Sequence, residues 1–232
     1  MTPDLLLGLK WYIVFLFSTV LHEAAHAWVG LKLGDDTAHR GGQVTLDPTP
    51  HIRREPVGMV VIPILSFLLG GWMLGWASAP YDPQWAIRNP RGKGLVSLAG
   101  PAANLLLVLL AVLLIRVGMA FHYFEAPEWI NFSSVVTAVS PNGYFFATMI
   151  SILFSLNLLL CTFNLLPLPP LDGSGALMLF VPPESAAKFL ETMWHPGFRM
   201  IGFIVAWRAF DYLYPPVQLF AVNLLYPGLG YH

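Results

Sequence analysis

Four stretches of this chain are apolar for long enough to cross a lipid bilayer, and nothing else in the sequence restricts its fold as much. Hydrocarbon offers no hydrogen-bond partners, so a spanning segment must satisfy its own backbone, and a helix of about 20 residues does so. The four stretches are Leu5 to Leu31, Gly94 to Met119, Tyr144 to Leu166 and Phe198 to Tyr214, the last being short and open to extension beyond Pro215 and Pro216. A fifth, Val57 to Ala79, carries Pro63 and the pair Gly70-Gly71 in its interior. That suits a broken or re-entrant element as well as a straight span. The expectation is an all-α polytopic membrane protein with about four spanning helices, and with loops too short for a second soluble domain.

Composition agrees, with 56% of residues hydrophobic and only 11% charged. A net charge of -1, with no Lys/Arg-rich tract carrying interleaved aromatics, argues against nucleic acid as a partner and leaves the lipid bilayer and its proteins. The single cysteine, Cys161, cannot form an intrachain disulfide. The N-terminus lacks the basic region and small-residue cleavage site of a signal peptide, so its first apolar block is expected to be retained as a helix. Between that block and the fifth lies a polar loop with a strand-like core at Gln43 to Leu46.

The first apolar block contains "HEAAH", residues 22–26. Residues four apart share a helix face, so His22 and His26 can point at one centre, with Glu23 turned about 100° aside. This is the spacing of the HExxH zinc site. Chance also produces the pattern, but three polar or charged groups at mid-helix in a bilayer cost about 2.5 kcal/mol or more each unless something satisfies them. Catalytic zinc takes a third protein ligand and leaves one position for water. Acidic residues inside the apolar blocks are scarce, and the best candidate is Asp172 in "FNLLPLPPLDGSG", residues 163–175. An aspartate before "GSGALMLF" would serve equally well as a helix N-cap.

Together, "HEAAH" and "FNLLPLPPLDG" resemble the site-2 protease family of intramembrane zinc metalloproteases, whose second motif runs Asn, Pro, then Asp-Gly. "GDDTA" after the first helix, "QVTLDPTPHI" in the loop and "SLAGPAANLLL" in the third block agree, so the likeness runs from about His22 to Gly175. It is greatest with the short bacterial and archaeal members that lack a PDZ domain. The resemblance implies one Zn2+ held by His22, His26 and Asp172, with Glu23 as general base, Asn164 beside the reacting carbonyl, and a transmembrane protein as substrate. It implies a single membrane-embedded metalloprotease domain, 1–232, with a catalytic core at about 5–180 and a C-terminal helical segment at about 197–232, in a prokaryotic cell membrane. "HIRREPVG" departs from the family pattern in its long basic link, which leaves His51 as a site residue or a plain loop residue.

The chemistry accounts for the same residue types. Zinc lowers the pKa of a bound water toward ~7, Glu23 is placed to take its proton and pass it to the leaving amine, and a neutral amide such as Asn164 can donate to the carbonyl oxygen as it gains charge. Asn164 could instead bond helix-end backbone freed by Pro167. Asn104, in "AGPAAN", is a candidate substrate-binding residue or a helix–helix bond. Arg208 and Asp211, three apart, form a candidate mutual pair.

Ligand depth constrains topology. His22 and His26 lie about 9 to 15 Å inside the Lys32 end of the first helix, and Asp172 must reach that depth, so the fifth block must enter and leave on one face. Charge gives the same result. Loops on the zinc side then carry Lys32, Arg40, Arg53, Arg54, Arg88, Arg91, Lys93 and Lys188, while Lys10 and Arg116 belong to the other half. The positive-inside rule places the active site toward the cytoplasm. An extended substrate needs a strand edge for its backbone, and Gln43 to Leu46 is the expected small β element near the active site, unless it only packs. A second function class, a metal-binding membrane protein or zinc carrier without protease activity, needs the ligands but neither Glu23 nor a peptide cleft.

Overall fold

The computed structural model describes residues 4–232. Helix α1 (Leu5–Lys32) starts where the Asp4 carboxylate accepts the Leu6 and Leu7 N–H groups at 3.0 and 3.1 Å, an N-cap in the usual sense. Its buried positions Trp11, Val14, Phe15, Ser18, His22, Glu23 and His26 recur every three or four residues, while Leu5, Leu6, Leu9, Ile13 and Phe17 point outward. The inward stripe turns from apolar to polar along its length and leads into the HEAAH residues.

Short helices α2 (Thr37–Arg40) and α3 (Pro48–Arg54) follow. No strand forms at Gln43 to Leu46, which correct the sequence expectation. Gln43 is buried and its amide donates to the Ser78 carbonyl, and His51 donates through Nε2 to the Thr45 carbonyl, so the loop is tied by side chains in place of a partner strand. His51 is thereby a buried loop-closing residue.

The fifth apolar block doubles back. A π-helical turn (Val57–Val61) runs into α4 (Ile62–Gly70), the chain reverses at Gly71 with φ 75°, and Met73 to Asp82 returns extended. Ser78 accepts from Arg54 Nε and donates to the Glu55 carboxylate, which brings the two ends together. Inside the hairpin the Trp76 N–H donates to the Gly58 carbonyl at 3.1 Å, and a side chain at either Gly58 or Gly75 would strike the opposite backbone. The block folds back on itself, in agreement with the re-entrant course expected from ligand depth and charge.

After α5 (Pro83–Arg88) come the long helices α6 (Pro90–Ala120) and α7 (Tyr144–Asn164), joined at their far ends by a loop holding strands β1 (Phe124–Glu125) and β2 (Thr137–Ala138), paired antiparallel. This is the only β-sheet among the described residues. Ala120 lies 20 residues beyond Gly100 on α6, so the sheet sits about 30 Å from the HEAAH residues and the expected β element beside the site is absent. Beyond α7, α8 (Asp172–Ala176) and α9 (Ala186–Trp194) precede α10 (Pro196–Leu225).

Leu5–Lys32, Pro90–Ala120 and Pro141–Asn164 are long and apolar enough to cross a membrane. The chain is an integral membrane protein. At 30 residues α10 is long enough, and it continues through Pro215 and Pro216 well past the expected end at Tyr214, but it carries Arg199, Arg208 and Asp211. Arg208 and Asp211 are both exposed and form no ion pair among the described residues, contrary to expectation. Helices α1, α6 and α7 pack together, and α10 stands across a cleft of about 1150 Å³ from the returning strand.

Candidate metal centre

His22 and His26 reach the cleft one turn apart on α1, and their ring nitrogens are oriented from behind. Asn104 Nδ2 donates to Asn157 Oδ1 at 2.8 Å, which turns Asn104 Oδ1 toward His22 Nδ1, 2.6 Å away. Asn157 in turn donates to Ser18 Oγ at 2.9 Å and to the Leu153 carbonyl. His26 Nδ1 lies 2.6 Å from the Val96 carbonyl. Each Nδ1 therefore carries the proton, and each Nε2 presents a lone pair.

Those lone pairs converge with Asp172. The separations are 3.0 Å between the two Nε2 atoms, 3.1 Å from His22 Nε2 to Asp172 Oδ2, and 3.3 Å from His26 Nε2 to the same oxygen. Three acceptors face one another with no proton between them, an arrangement that a cation resolves. Tetrahedral zinc with bonds of about 2.0–2.2 Å sets its ligands about 3.3 Å apart, so the donor set fits. His22, His26 and Asp172 can hold the ion together.

Asp172 is free for this because Leu171 takes the N-cap position of α8, which disposes of the capping alternative. Gly173 lets α8 press against the Leu165 and Leu166 carbonyls, where any side chain would collide. Gly100 is as restrictive: a Cβ there would stand against both Nε2 atoms. The small residues of "AGPAAN" thus include one that shapes the candidate metal site.

Glu23 is 5% exposed, lines the cleft and makes no hydrogen bond to the described residues. Asn164, the last residue of α7, also lines the cleft with its side chain unbonded, so the helix-end alternative is not realised. Asn104 does not line the cleft. It is fully buried with both ends of its amide engaged, which corrects its reading as a substrate contact. Asn157, equally buried, was missed by the sequence reading, and its one signal was an amide within an apolar block.

Leu74 to Tyr81 forms one wall of the cleft, and the N–H groups of Ala77, Ser78 and Ala79 have no protein acceptor among the described residues. At the mouth, burial pushes the Tyr81 hydroxyl up to about 12, so it stays neutral and accepts from Trp194 Nε1 at 2.8 Å. At the far end Trp72 from the hairpin tip, Phe132 from the β loop and Tyr214 from α10 are stacked, with centroids 5.9 and 6.1 Å apart.

Comparison with known proteins agrees with this geometry. The model of peptidase family M50 matches residues 10–207. The chain belongs to peptidase family M50, the site-2 protease family. It is 36% identical over 194 residues to YwhC of Bacillus subtilis, covering 83% of this chain and 76% of that protein. It is 34% identical over 171 residues to Rip2 of Mycolicibacterium smegmatis, covering 74% of this chain and 57% of the relative. Rip2 of Mycobacterium tuberculosis H37Rv is similar, at 33% over the same coverage. All three carry zinc metalloprotease in their names. No solved structure gives a significant match. The M50 chain is a zinc metallopeptidase of the site-2 type, and its cofactor is Zn2+.

Proposed function

We propose that this M50 peptidase hydrolyses peptide bonds in or near transmembrane segments of membrane-protein substrates, with zinc held by His22, His26 and Asp172. The observation that carries this is the convergence of two lone-pair-bearing Nε2 atoms and one carboxylate oxygen within 3.3 Å, on a cleft that also exposes an unbonded glutamate. When bound, zinc acidifies a water and polarises the substrate carbonyl. Glu23 takes the proton of the attacking water and delivers it to the departing amine. The Asn164 amide donates to the carbonyl oxygen as charge develops there. Asn104, backed by Asn157, holds the His22 ring in the tautomer that a metal ligand requires.

A substrate helix hides its carbonyls in its own hydrogen bonds and must be extended before attack. The returning strand, Leu74 to Tyr81, takes the role first expected of Gln43 to Leu46: its free N–H groups offer an edge to which an extended peptide can add. The mouth beside Lys93, Arg54 and Arg199 faces the cytoplasm, in keeping with the clustering of Lys and Arg on that side.

The test is purified protein assayed for metal content and for cleavage of a membrane-spanning substrate. Wild type is expected to bind one zinc and cleave, and Glu23→Gln to keep the metal and lose cleavage. Full metal occupancy with no cleavage by wild type, across a panel of membrane substrates, would move the assignment to a metal-binding protein.

A further inference from the structure

Lys93 is the cation of the cleft that the chemistry above does not use. Its ammonium donates to Ser97 Oγ at 2.8 Å and lies 4.2 Å from the centroid of the Tyr81 ring, and no carboxylate comes within ion-pair distance among the described residues. Helical side chains ordinarily lean toward the N-terminus of their helix. Lys93 instead folds forward by one turn to Ser97, toward the metal centre and away from the water at the mouth. Trp194 Nε1 donates to the Tyr81 hydroxyl and holds that ring in place.

The neighbouring carboxylates are already engaged. Asp35 accepts the N–H groups of Thr37 and Asp82, Glu55 accepts from Ser78, and Asp172 faces the two histidines. Of the other cations on the cleft wall, Arg54 donates to Ser78, and Arg199 belongs to α10. An ammonium drawn inward onto an aromatic face and a hydroxyl, with no carboxylate within ion-pair distance among the described residues, is placed to meet an anion arriving from outside.

Position indicates which anion. Ser97 lies three residues before Gly100, whose Cα faces both histidines, so the ammonium stands on the order of 5 to 10 Å from the metal centre along α6. An extended peptide advances about 3.3 Å per residue. The returning strand that would guide such a peptide ends at Tyr81, beside Lys93.

We propose that Lys93, with Ser97 and Tyr81, forms a subsite for an acidic side chain of the substrate, two or three residues from the cleaved bond on the mouth side. The subsite rests on the protease function proposed above.

The test uses the full chain and membrane-spanning peptides carrying Asp, Asn or Lys at each of the first four positions on the mouth side of the mapped cleavage point. Wild type is expected to show at least a tenfold higher kcat/KM for Asp than for Asn at one position. Lys93→Glu should invert the order in favour of Lys, and Lys188→Glu, at an exposed lysine, should keep the wild-type order. Binding of the same peptides to zinc-loaded Glu23→Gln, with and without Lys93→Glu, is measured by fluorescence anisotropy. If wild type cleaves no membrane-spanning peptide, the protease assignment fails, while binding of peptides carrying Asp, Asn or Lys at each position of the segment in turn still decides for or against the subsite. An identical order with Lys93 and with Glu at that position, in both assays, overturns it. So does an effect confined to inhibition by cleaved peptides with a free C-terminal carboxylate over their amides, which would make the product terminus the ligand.

Discussion

His22 Nδ1 and Asn104 Oδ1 lie 2.6 Å apart, and this contact makes a residue of α6 the support for a proposed metal ligand on α1. Replacing Asn104 by alanine is expected to lower zinc affinity by about 10- to 100-fold, the usual cost of losing such a support. Asn104→Asp keeps an acceptor for Nδ1 and should lose less. Competition with a chelator of known affinity measures both, and equal affinity in wild type and Asn104→Ala would remove Asn104 from the positioning role.

Gly100→Ala places a methyl group against both Nε2 atoms. Zinc occupancy and cleavage should fall together below a tenth of wild type while helix content by circular dichroism stays unchanged. A variant that binds zinc normally would mean that α1 and α6 can separate at this level.

The hairpin brings its ends together at Ser78 and Glu55. Single cysteines introduced near Arg53 and Arg91, in a Cys161→Ser background, should therefore be labelled by an impermeant reagent from the same face of the membrane. Labelling from opposite faces would contradict a re-entrant block.

Ala77→Pro removes one of the free donors of the returning strand without touching a metal ligand. Cleavage of a helical transmembrane substrate should slow by about tenfold at unchanged zinc content, and Thr45→Pro should do less, because Thr45 lies off the cleft. Equal rates for wild type and Ala77→Pro would leave the edge without a function.

Taking the metal away should also destabilise the fold, since its departure leaves three acceptors facing one another. A zinc concentration 1,000-fold above Kd contributes about 4 kcal/mol. Thermal unfolding in detergent with and without chelator should show a lower midpoint in the stripped protein. An unchanged midpoint would mean that the histidines repack without cost.

Length of apolar block was enough to find α1, α6 and α7, because a bilayer demands that length whatever the side chains do. The three side chains that converge on the cleft, His22, His26 and Asp172, were legible as well, since ionisable residues in such blocks stand out. The returning strand was not. Residues 73–82 have no period-two pattern, and their extended course is imposed by the contact of Gly58 with Trp76 and Gly75 and by the ties at Ser78. "QVTL" had the composition of a strand but no neighbour to pair with, and the burial of Gln43 decided its course. Asn157 has no spacing signature at all, and only its partners across the bundle reveal its place.

The stacked rings of Trp72, Phe132 and Tyr214 have a consequence for the cell as a whole. Hydrolysis requires a wet chamber within the bilayer, and a chamber open at both ends would be a shunt for protons and ions. Three stacked aromatic rings at one end of the cleft would let water reach the scissile bond from a single compartment without discharging the electrochemical gradient between the two.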